Sequence, residues 1–228
     1  MRLHAAGHEA RWSHEGLGCL APWLRRTGRA AAGAARPCHV APAQDARPGA
    51  PGPIRLLSLC AGQGRDVLEV LPAHPRGRDV SATLVEADTE NARLAREAAD
   101  DAGLSEVRVR EADASVVANF ADALPVDVLL LAGIFGNVSY ADIKQTIDAA
   151  PALCAPAATV IWTRHRRPPD VTVSIRAWFA AGGFEEVAFD KLDSEYLASV
   201  GVHRLTSQPT GTLPTTGRPL FTFGSHHS

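Results

Sequence analysis

The residues best suited to hold a ligand lie in one short stretch, Leu57 to Asp66, which reads LSLCAGQGRD. An apolar run leads there through Gly62 and Gly64 directly into a predicted helix. Glycine allows a tight turn and a close approach of ligand to backbone, and a helix N-terminus offers free N–H groups. In a doubly wound sheet, ligands bind at the carboxyl ends of the strands, where such a loop lies. The stretch therefore predicts a binding loop, with a simple tight turn as the alternative.

A carboxylate follows the loop at the spacing expected of a sugar-binding residue. Glu86 ends the second predicted strand, 22 positions after Gly64, where a carboxylate accepts hydrogen bonds from ribose hydroxyls. Both NAD and S-adenosylmethionine use such a residue. The third glycine that allows close packing around a pyrophosphate is missing, because Arg65 and Asp66 follow Gly64. The pattern therefore favours a nucleoside-bearing cofactor without phosphates, S-adenosylmethionine before NAD.

Two further carboxylates are candidates for contacts with the same ligand. Asp66 lies near the start of the predicted helix, where it either contacts the amino-acid end of the ligand or only complements the helix dipole. Asp113, just after the third predicted strand, is placed to accept a hydrogen bond from an adenine amino group. The alternative role of Asp113 is a cap for the helical segment predicted from Ser115, and the two roles are compatible.

The fourth predicted strand ends in a glycine-containing segment, LLLAGIFGNVS, from Leu129 to Ser139. Gly133 and Gly136 have no side chains and leave the backbone accessible. Phe135 and Asn137 are expected to project into the mouth of the cleft. We therefore predict that Ala132, Gly133 and Phe135 line the cofactor or the substrate. The alternative for Phe135 is a place in the hydrophobic core, where phenylalanine is commonly found.

A basic loop follows the fifth predicted strand and reads WTRHRRPPD, from Trp162 to Asp170. Histidine titrates near neutral pH, so His165 is predicted to act as a general base or to orient a substrate. Guanidinium groups bind carboxylates and phosphates, so Arg164 is predicted to join it at the catalytic site. The alternative is a solvated basic loop. His203 and Arg204, late in the last predicted strand, are candidates of lower rank.

Composition argues against several other classes of function. The four cysteines are scattered without a CxxC pair or a spacing suited to zinc, so we expect no metal site and a reduced, cytoplasmic protein. A formal net charge of −2 argues against a nucleic-acid partner. No apolar run reaches signal-peptide or membrane-span length, so we expect no membrane partner. No Ser/His/Asp arrangement is evident.

Short apolar runs separated by helical segments predict a doubly wound α/β fold, a parallel sheet with crossover helices. The predicted strands are 54–59, 82–86, 107–111, 126–132, 158–163, 184–189 and 198–205. The predicted helices are 66–73, 89–102, 115–122, 139–150 and 171–181. The fourth strand, VDVLLLA, is apolar at nearly every position, as in a strand covered on both faces, whereas VRVRE alternates and belongs nearer an edge. The last two strands are expected to close as an antiparallel hairpin.

The chain is predicted to have one core and two appended segments. Its 228 residues, 46% hydrophobic and 21% charged, suit one substantial globular domain. Residues 1–53 mix Trp and Leu with a Pro/Gly-dense stretch, which predicts a helical and linker extension that docks on the domain or its cleft as a lid. Residues 54–205 form the α/β domain. Residues 206–228 are expected to be a tail with a short edge strand.

These residues resemble those of the class I S-adenosylmethionine-dependent methyltransferases, and more narrowly a small actinobacterial-type subset that carries LSLCAGQGRD and WTRHRR. The resemblance covers residues 54–205. It implies a Rossmann-like, seven-stranded sheet, mostly parallel with an antiparallel last strand and helices on both faces, and a methyl donor lying across the strand ends. By position, it implies that the donor site comprises Cys60, Ala61, Gly62, Gln63 and Gly64 in the loop, Glu86 at the ribose, Asp113 with Ala114 at the adenine, and Ala132, Gly133 and Phe135 as the floor.

The resemblance implies methyl transfer from S-adenosylmethionine to an acceptor, which we expect to be a small molecule because the chain has no basic face for nucleic acid. The chain departs from the subset near its start, where residues 12–18 read WSHEGLG without the Tyr-Asp pair that closes over the donor in relatives. Two alternatives follow: an enzyme of this fold that performs elimination or cyclisation in secondary metabolism, and a non-catalytic binding or scaffold subunit. A homodimer or a partner subunit is compatible with each.

Overall fold

Seven strands form in the part of the chain that the structure describes, where the apolar runs predict them. They are β1 Ile54–Leu59, β2 Val80–Glu86, β3 Val107–Glu111, β4 Val126–Leu131, β5 Cys154–His165, β6 Phe184–Lys191 and β7 Ala198–Leu205. The structure, a computed structural model, describes residues 53–192, 197–210, 213 and 218–223. The predicted lid and the rest of the N-terminal extension through residue 52 lie outside the described residues.

The strands build one sheet in the order β3-β2-β1-β4-β5-β7-β6. Strands β1 to β5 run parallel to one another, and β7 lies antiparallel to both β5 and β6. The order reverses at β1 and β4, which makes the carboxyl edge there the switch point where doubly wound folds bind ligands. The predicted fold class is confirmed, including the antiparallel last strand and the edge position of β3.

The described residues form four α-helices, α1 Arg65–Leu68, α2 Thr89–Asp101, α3 Tyr140–Leu153 and α4 Thr172–Ala181. Side chains cap two of them, since Asp88 accepts the N–H of Asn91 and Ser139 accepts that of Asp142. These bonds satisfy N–H groups that a helix start leaves without an intrahelical partner. No helix among the described residues is long and apolar enough to cross a membrane.

One predicted helix is shorter than expected, and another is wrong. The segment predicted as helix 66–73 is α-helical only to Leu68 and continues as a 3₁₀ turn at Leu71–Ala73, because Pro72 has no N–H to continue the helix. The helix predicted at 115–122 is replaced by two 3₁₀ turns, Val117–Asn119 and Ala121–Ala123. The adjacent valines at 116 and 117 disfavour a helix, since their branched Cβ atoms restrict χ1.

Helices cover both faces of the sheet, and each face has its own hydrophobic cluster. One cluster contains Ile147 of α3, Phe179 of α4 and Trp162 of β5. The other joins α1 and α2 to β1 and β2 and includes Leu68 and Ala95. Because alternate strand residues point to opposite faces, every strand except β3 contributes to both clusters. The site residues at the strand ends therefore stand on a framework that is packed from both sides.

The described part of the tail, residues 218–223, packs against α3. Leu220 is fully buried in the cluster of α3 and α4, and its carbonyl oxygen accepts a hydrogen bond from Gln145 Nε2 at 3.0 Å. Phe223 forms an isolated antiparallel bridge with Val138. The tail thus completes the core, while an edge strand in it stays a prediction.

Candidate functional site

The loop after β1 turns tightly because three of its residues adopt left-handed backbone conformations. Their φ angles are 55° at Cys60, 55° at Gly62 and 68° at Gly64. Nothing lies within 4 Å of a Cβ added at Gly62, whereas a Cβ added at Gly64 would lie 2.8 Å from Cδ1 of Leu84. Gly62 therefore leaves its backbone open to a ligand. Gly64 instead allows the start of α1 to pack on β2.

The carboxylate of Glu86 lies directly against this loop. Its Oε2 accepts the N–H of Gly62 at 2.7 Å, and its Oε1 accepts the N–H of Asp88 at 2.8 Å. The pairing follows from the parallel register, in which Leu59 lies opposite Val85. Two backbone donors thus hold the half-buried side chain at the predicted sugar position. Each carboxylate oxygen keeps a lone pair for a further donor.

The other loop residues brace the turn. Oε1 of Gln63 accepts a hydrogen bond from Nη2 of Arg65 at 2.8 Å, and Nε2 of Gln63 lies 3.4 Å from Oδ1 of Asn91. The N–H of Ala61 donates to the carbonyl oxygen of Val85 at 3.0 Å. The side chain of Gln63 is therefore engaged by protein partners, and its backbone is the part left to face a ligand.

Asp66 contributes a buried carboxylate to the start of α1. Only 4% of the residue is exposed, and burial raises the pKa of its carboxyl to about 6, with the N–H groups of Val67 and Asp66 partly offsetting that effect. Its Oδ1 has no hydrogen-bond partner. A buried carboxylate oxygen without a donor is costly, and the raised pKa reflects that cost. A helix-dipole role alone requires no such burial.

Asp113 caps the turn that follows β3. Its Oδ1 accepts the N–H of Ser115 at 2.8 Å, and the side chain is exposed. The bond closes a local turn at residues 113–115, whereas the 3₁₀ turn Val117–Asn119 has no side-chain cap, so the predicted cap of a helical segment is wrong. Ala114 is buried at 3% exposure. A carboxylate has two oxygens, so the cap leaves the predicted adenine contact available to Asp113.

The loop after β4 is tied to the end of β5. Oγ1 of Thr163 accepts the N–H of Gly133 at 2.8 Å, and Nδ2 of Asn137 donates to the carbonyl oxygen of Gly133 at 2.7 Å. The space beside Gly133 is open, since nothing lies within 4 Å of an added Cβ, and Ala132 next to it is half-buried. Thr163 was not among the site residues predicted from the sequence. The signal that could have found it is a hydroxyl near the end of an otherwise apolar strand.

Phe135 does not project into the mouth of the cleft, so that expectation is wrong. The residue is fully buried, and its ring centroid lies 6.0 Å from that of Trp162. Ile134 beside it is buried as well, because the loop folds back over the core before α3 begins. Phe135 is thus the core residue of the alternative interpretation, and it supports the site only from beneath.

His165 lies beside the loop after β4. A Cβ added at Gly136 would stand 3.8 Å from Cδ2 of His165. Burial lowers the pKa of His165, and the nearby charges of Arg164 and Arg167 lower it further. The shift favours the neutral imidazole, the form that a base requires. Its Nδ1 accepts the N–H of Arg167 at 3.3 Å, a distance long enough that the contact fixes the tautomer only weakly.

Arg164 lies half-buried one residue earlier. Its Nε is buried without a hydrogen-bond partner, and no ion pair among the described residues includes its guanidinium. The two candidates of lower rank lie elsewhere. His203 is fully buried against Phe179, with ring centroids 4.5 Å apart, and Arg204 pairs in register with Thr159, towards the other end of β5.

The chemistry of this edge fits S-adenosylmethionine. The ligand presents an ammonium group, ribose hydroxyls and an adenine amino group, all of which are hydrogen-bond donors. The edge offers the carboxylates of Asp66, Glu86 and Asp113 as acceptors, together with open backbone at Gly62 and Gly133. The acceptors present therefore match the donor groups of this ligand in their chemistry.

Comparison with known proteins bears on the fold. The structure of N-methyltransferase NodS from Bradyrhizobium japonicum WM9 is similar over 87% of this chain and 97% of its own, with a TM-score of 0.52 and 14% identity. That of a predicted O-methyltransferase, Atu636 from Agrobacterium tumefaciens, is similar over 68% of this chain and 74% of its own, with a TM-score of 0.50 and 17% identity. The chain has the class I methyltransferase fold.

Sequence comparison adds nothing to that assignment, since no protein-family model and no curated protein sequence matches the chain. At such low identity, the structural likeness extends to the fold alone. The methyltransferase fold nevertheless explains why the glycine loop, Glu86 and the loop after β4 converge, because in this arrangement the carboxyl ends of β1, β2 and β4 are neighbours in one sheet.

Proposed function

We propose that this protein binds S-adenosylmethionine and transfers its methyl group to a small-molecule acceptor. The observation that carries the proposal is the 2.7 Å hydrogen bond from the N–H of Gly62 to Oε2 of Glu86. It aligns a sugar-binding carboxylate with a loop whose backbone is open at Gly62. The methyltransferase fold supports the same conclusion at the level of architecture.

In this proposal, three carboxylates hold the cofactor by its donor groups. Glu86 binds the ribose hydroxyls, Asp113 binds the adenine amino group, and Asp66 binds the ammonium of the methionine part. The support for Asp66 is its orphaned, buried Oδ1, which gains a charged partner on binding. When bound, the cofactor supplies an electrophilic methyl group on a sulfonium centre.

The acceptor side of the proposal rests on the end of β5. His165 removes a proton from the acceptor as the nucleophilic atom of the acceptor reacts. The lowered pKa of His165 supports this role, because it favours the unprotonated ring. Arg164 orients the acceptor. Methyl transfer requires little further protein chemistry, since holding the two reactants in line and excluding water provide most of the rate enhancement.

Calorimetry on the full chain tests the proposal. We expect heat of binding with S-adenosylmethionine and with its demethylated product, S-adenosylhomocysteine, and none with NAD. Absence of heat with both sulfur ligands would remove the proposed function and leave the elimination, cyclisation or scaffold alternatives. Tight NAD binding would instead indicate a nicotinamide enzyme.

A further inference from the structure

The guanidinium of Arg164 has no hydrogen-bond or ion-pair partner among the described residues, in contrast to those of Arg110 and Arg176, although Nε of Arg166 and of Arg204 is also buried without a partner. Arg110 and Arg176 each approach a carboxylate oxygen at 2.6 Å, as is usual for a guanidinium close to protein surface. Burial lowers the pKa of Arg164, whereas hydrogen bonds from their carboxylate partners raise the pKa of Arg110 and Arg176, and Nε of Arg164 has no hydrogen-bond partner. A half-buried cation without an acceptor loses hydration and gains nothing in return.

Asp170, whose charge raises the pKa of Arg164, forms no ion pair with its guanidinium. The field of Asp170 reaches Arg164, but Oδ1 of Asp170 accepts hydrogen bonds from both the N–H and the Oγ1 of Thr172, at 2.9 and 2.7 Å. Asp170 is thereby held at the start of α4. The stretch from 164 to 170 holds three arginines against this one carboxylate, so the loop keeps an excess of positive charge.

The position of Arg164 connects it with the proposed methyl-transfer site. It lies next to His165 at the carboxyl end of β5, the same end that Thr163 ties to Gly133 of the cofactor loop at 2.8 Å. Because strand residues alternate between faces, Arg164 shares the face of Trp162, whereas His165 shares that of Thr163. An acceptor that meets both side chains therefore lies across the carboxyl end of β5. The face of Trp162 is apolar, since Trp162 is fully buried there. A ligand at Arg164 would therefore meet a cation at the border of the hydrophobic core.

The first turns of α3 and α4 form part of the rim of this edge and carry two exposed apolar side chains. Tyr140, the first residue of α3, is 52% exposed, and Val173, near the start of α4, is 70% exposed. Both helices follow strands that end at this edge, so their first turns border it. The ring of Tyr140 is held edge-on against Trp178, with centroids 4.6 Å apart. Such a rim suits the body of an aromatic or otherwise apolar molecule.

We propose that the methyl acceptor carries an anionic oxygen group, a carboxylate or a phosphate, on an apolar body, and that Arg164 binds this group. The inference rests on the proposed function, because it assigns the acceptor class of that same site. A guanidinium matches both anions with paired N–H donors. Arg164 then acts as a specificity-determining residue that selects anionic over neutral acceptors, while His165 stays available for the proton.

The test uses small aromatic probes that differ in charge. The full chain, saturated with S-adenosylhomocysteine, is titrated with benzoate, phenyl phosphate and the neutral isostere benzamide, and binding is followed by calorimetry. We expect saturable binding of benzoate or phenyl phosphate and at least about tenfold weaker binding of benzamide. The tighter of the two anions identifies the group. Equal binding of benzamide, or no binding of either anion, overturns the inference.

Variants locate the anion at Arg164. Arg164→Gln is expected to weaken anion binding at least about tenfold, Arg164→Lys less, and Arg167→Gln, an equal charge change in the same loop, by no more than about twofold. Anion binding unchanged in Arg164→Gln overturns the assignment, and so does an equal loss in Arg167→Gln. Should Arg164→Gln fail to fold, the wild-type comparison of benzoate with benzamide still decides.

Failure of this inference is distinguishable from failure of the proposed function. Binding of S-adenosylhomocysteine without anion selectivity removes only the acceptor class. Absence of S-adenosylhomocysteine binding removes the proposed function, and the anion titrations are then repeated without it, where selectivity that depends on Arg164 still supports an anion site at β5.

Discussion

The N–H of Gly62 donates to Oε2 of Glu86 over 2.7 Å, although 24 residues separate them in the chain. The bond joins the loop after β1 to the end of β2, and it uses one lone pair of a carboxylate that has others to offer. A cofactor at this edge therefore meets a carboxylate that is already oriented. Much of the ordering of that side chain is complete before the ligand arrives.

Replacement of this carboxylate should weaken cofactor binding. Glu86→Ala is expected to cost about 1–3 kcal/mol of S-adenosylhomocysteine binding free energy, because ribose hydroxyls and the N–H of Gly62 lose their acceptor. Calorimetry measures the change. Glu111→Ala is the matched control, since Glu111 ends the adjacent strand opposite Glu86 and is exposed. Equal affinities of Glu86→Ala and wild type would contradict the assigned pose.

The buried carboxylate of Asp66 is expected to lower the stability of the fold while it contributes to cofactor binding. Its pKa is about 6 in the folded protein against 3.8 for an ordinary aspartate, so the unfolded state binds fewer protons between these values and stability falls as pH rises through this range. Two pKa units correspond to about 3 kcal/mol at most. Asp66→Asn is therefore expected to raise the free energy of unfolding at pH 8, with the gain shrinking towards pH 4.

The same substitution should reduce cofactor affinity, because a neutral amide replaces the partner proposed for the ammonium group. Wild-type affinity for S-adenosylhomocysteine is expected to rise with pH through about 6, and that rise should be missing in Asp66→Asn. Calorimetry at several pH values measures both effects. A stabilised variant with wild-type affinity at every pH would remove Asp66 from the cofactor site and leave it as a buried structural carboxylate.

His165 is expected to affect turnover and not cofactor binding. His165→Ala should bind S-adenosylhomocysteine as wild type does and slow methyl transfer roughly 10²-fold or more, the usual contribution of a general base. The rate of product formation with an accepted anionic substrate measures this. Because the pKa of His165 is lowered, the acidic limb of the wild-type pH–rate profile should lie below the ordinary histidine value. An unaltered rate removes His165 from the mechanism.

His203 should make the protein sensitive to acid. Burial lowers the pKa of His203 to about 4, with Glu186 raising it and Arg176 lowering it, and neither ring nitrogen has a hydrogen-bond partner. The unfolded state therefore takes up a proton below the ordinary value of 6.5, and stability is lost as pH falls from there to about 4. The loss is about 2 kcal/mol at pH 5.

The variant His203→Phe tests this contribution while retaining a ring against Phe179. Its free energy of unfolding should depend less on pH between 4 and 6.5 than that of wild type, whatever its absolute stability. Asp66 acts in the opposite direction over part of this range, so the two single variants separate the effects. Equal pH slopes in His203→Phe and wild type would show that the ring is not the titrating group.

The strand pattern was predictable because burial on both faces demands continuous apolar runs. The bounds of β1, β3 and β7 agree with the sequence analysis residue for residue. The errors lie where local turn chemistry decides, as at Pro72, and in the segment 115–122, whose amphipathic composition suits a helix but whose paired valines do not. A one-dimensional pattern does not weigh such competing preferences.

Site placement was predictable to the extent that it follows from topology. A loop after β1 and an acid after β2 must meet when the two strands are parallel neighbours, and Gly62 and Glu86 do so. Phe135 shows the limit of this reasoning. Whether a residue in a loop faces the cleft or the core depends on how the loop folds over the sheet, and here the loop buries it against Trp162.

The sequence by itself determined which chemistry is present at the carboxyl edge: glycines where a backbone must stay open, acids after the second and third strands, and a histidine among arginines after the fifth. Only the tertiary structure decided the state of those groups. The raised pKa of Asp66, the lowered pKa of His165 and the partnerless Nε of Arg164 all arise from burial by residues distant in the chain. Desolvation depends on the surrounding volume, and no local pattern of residues specifies it.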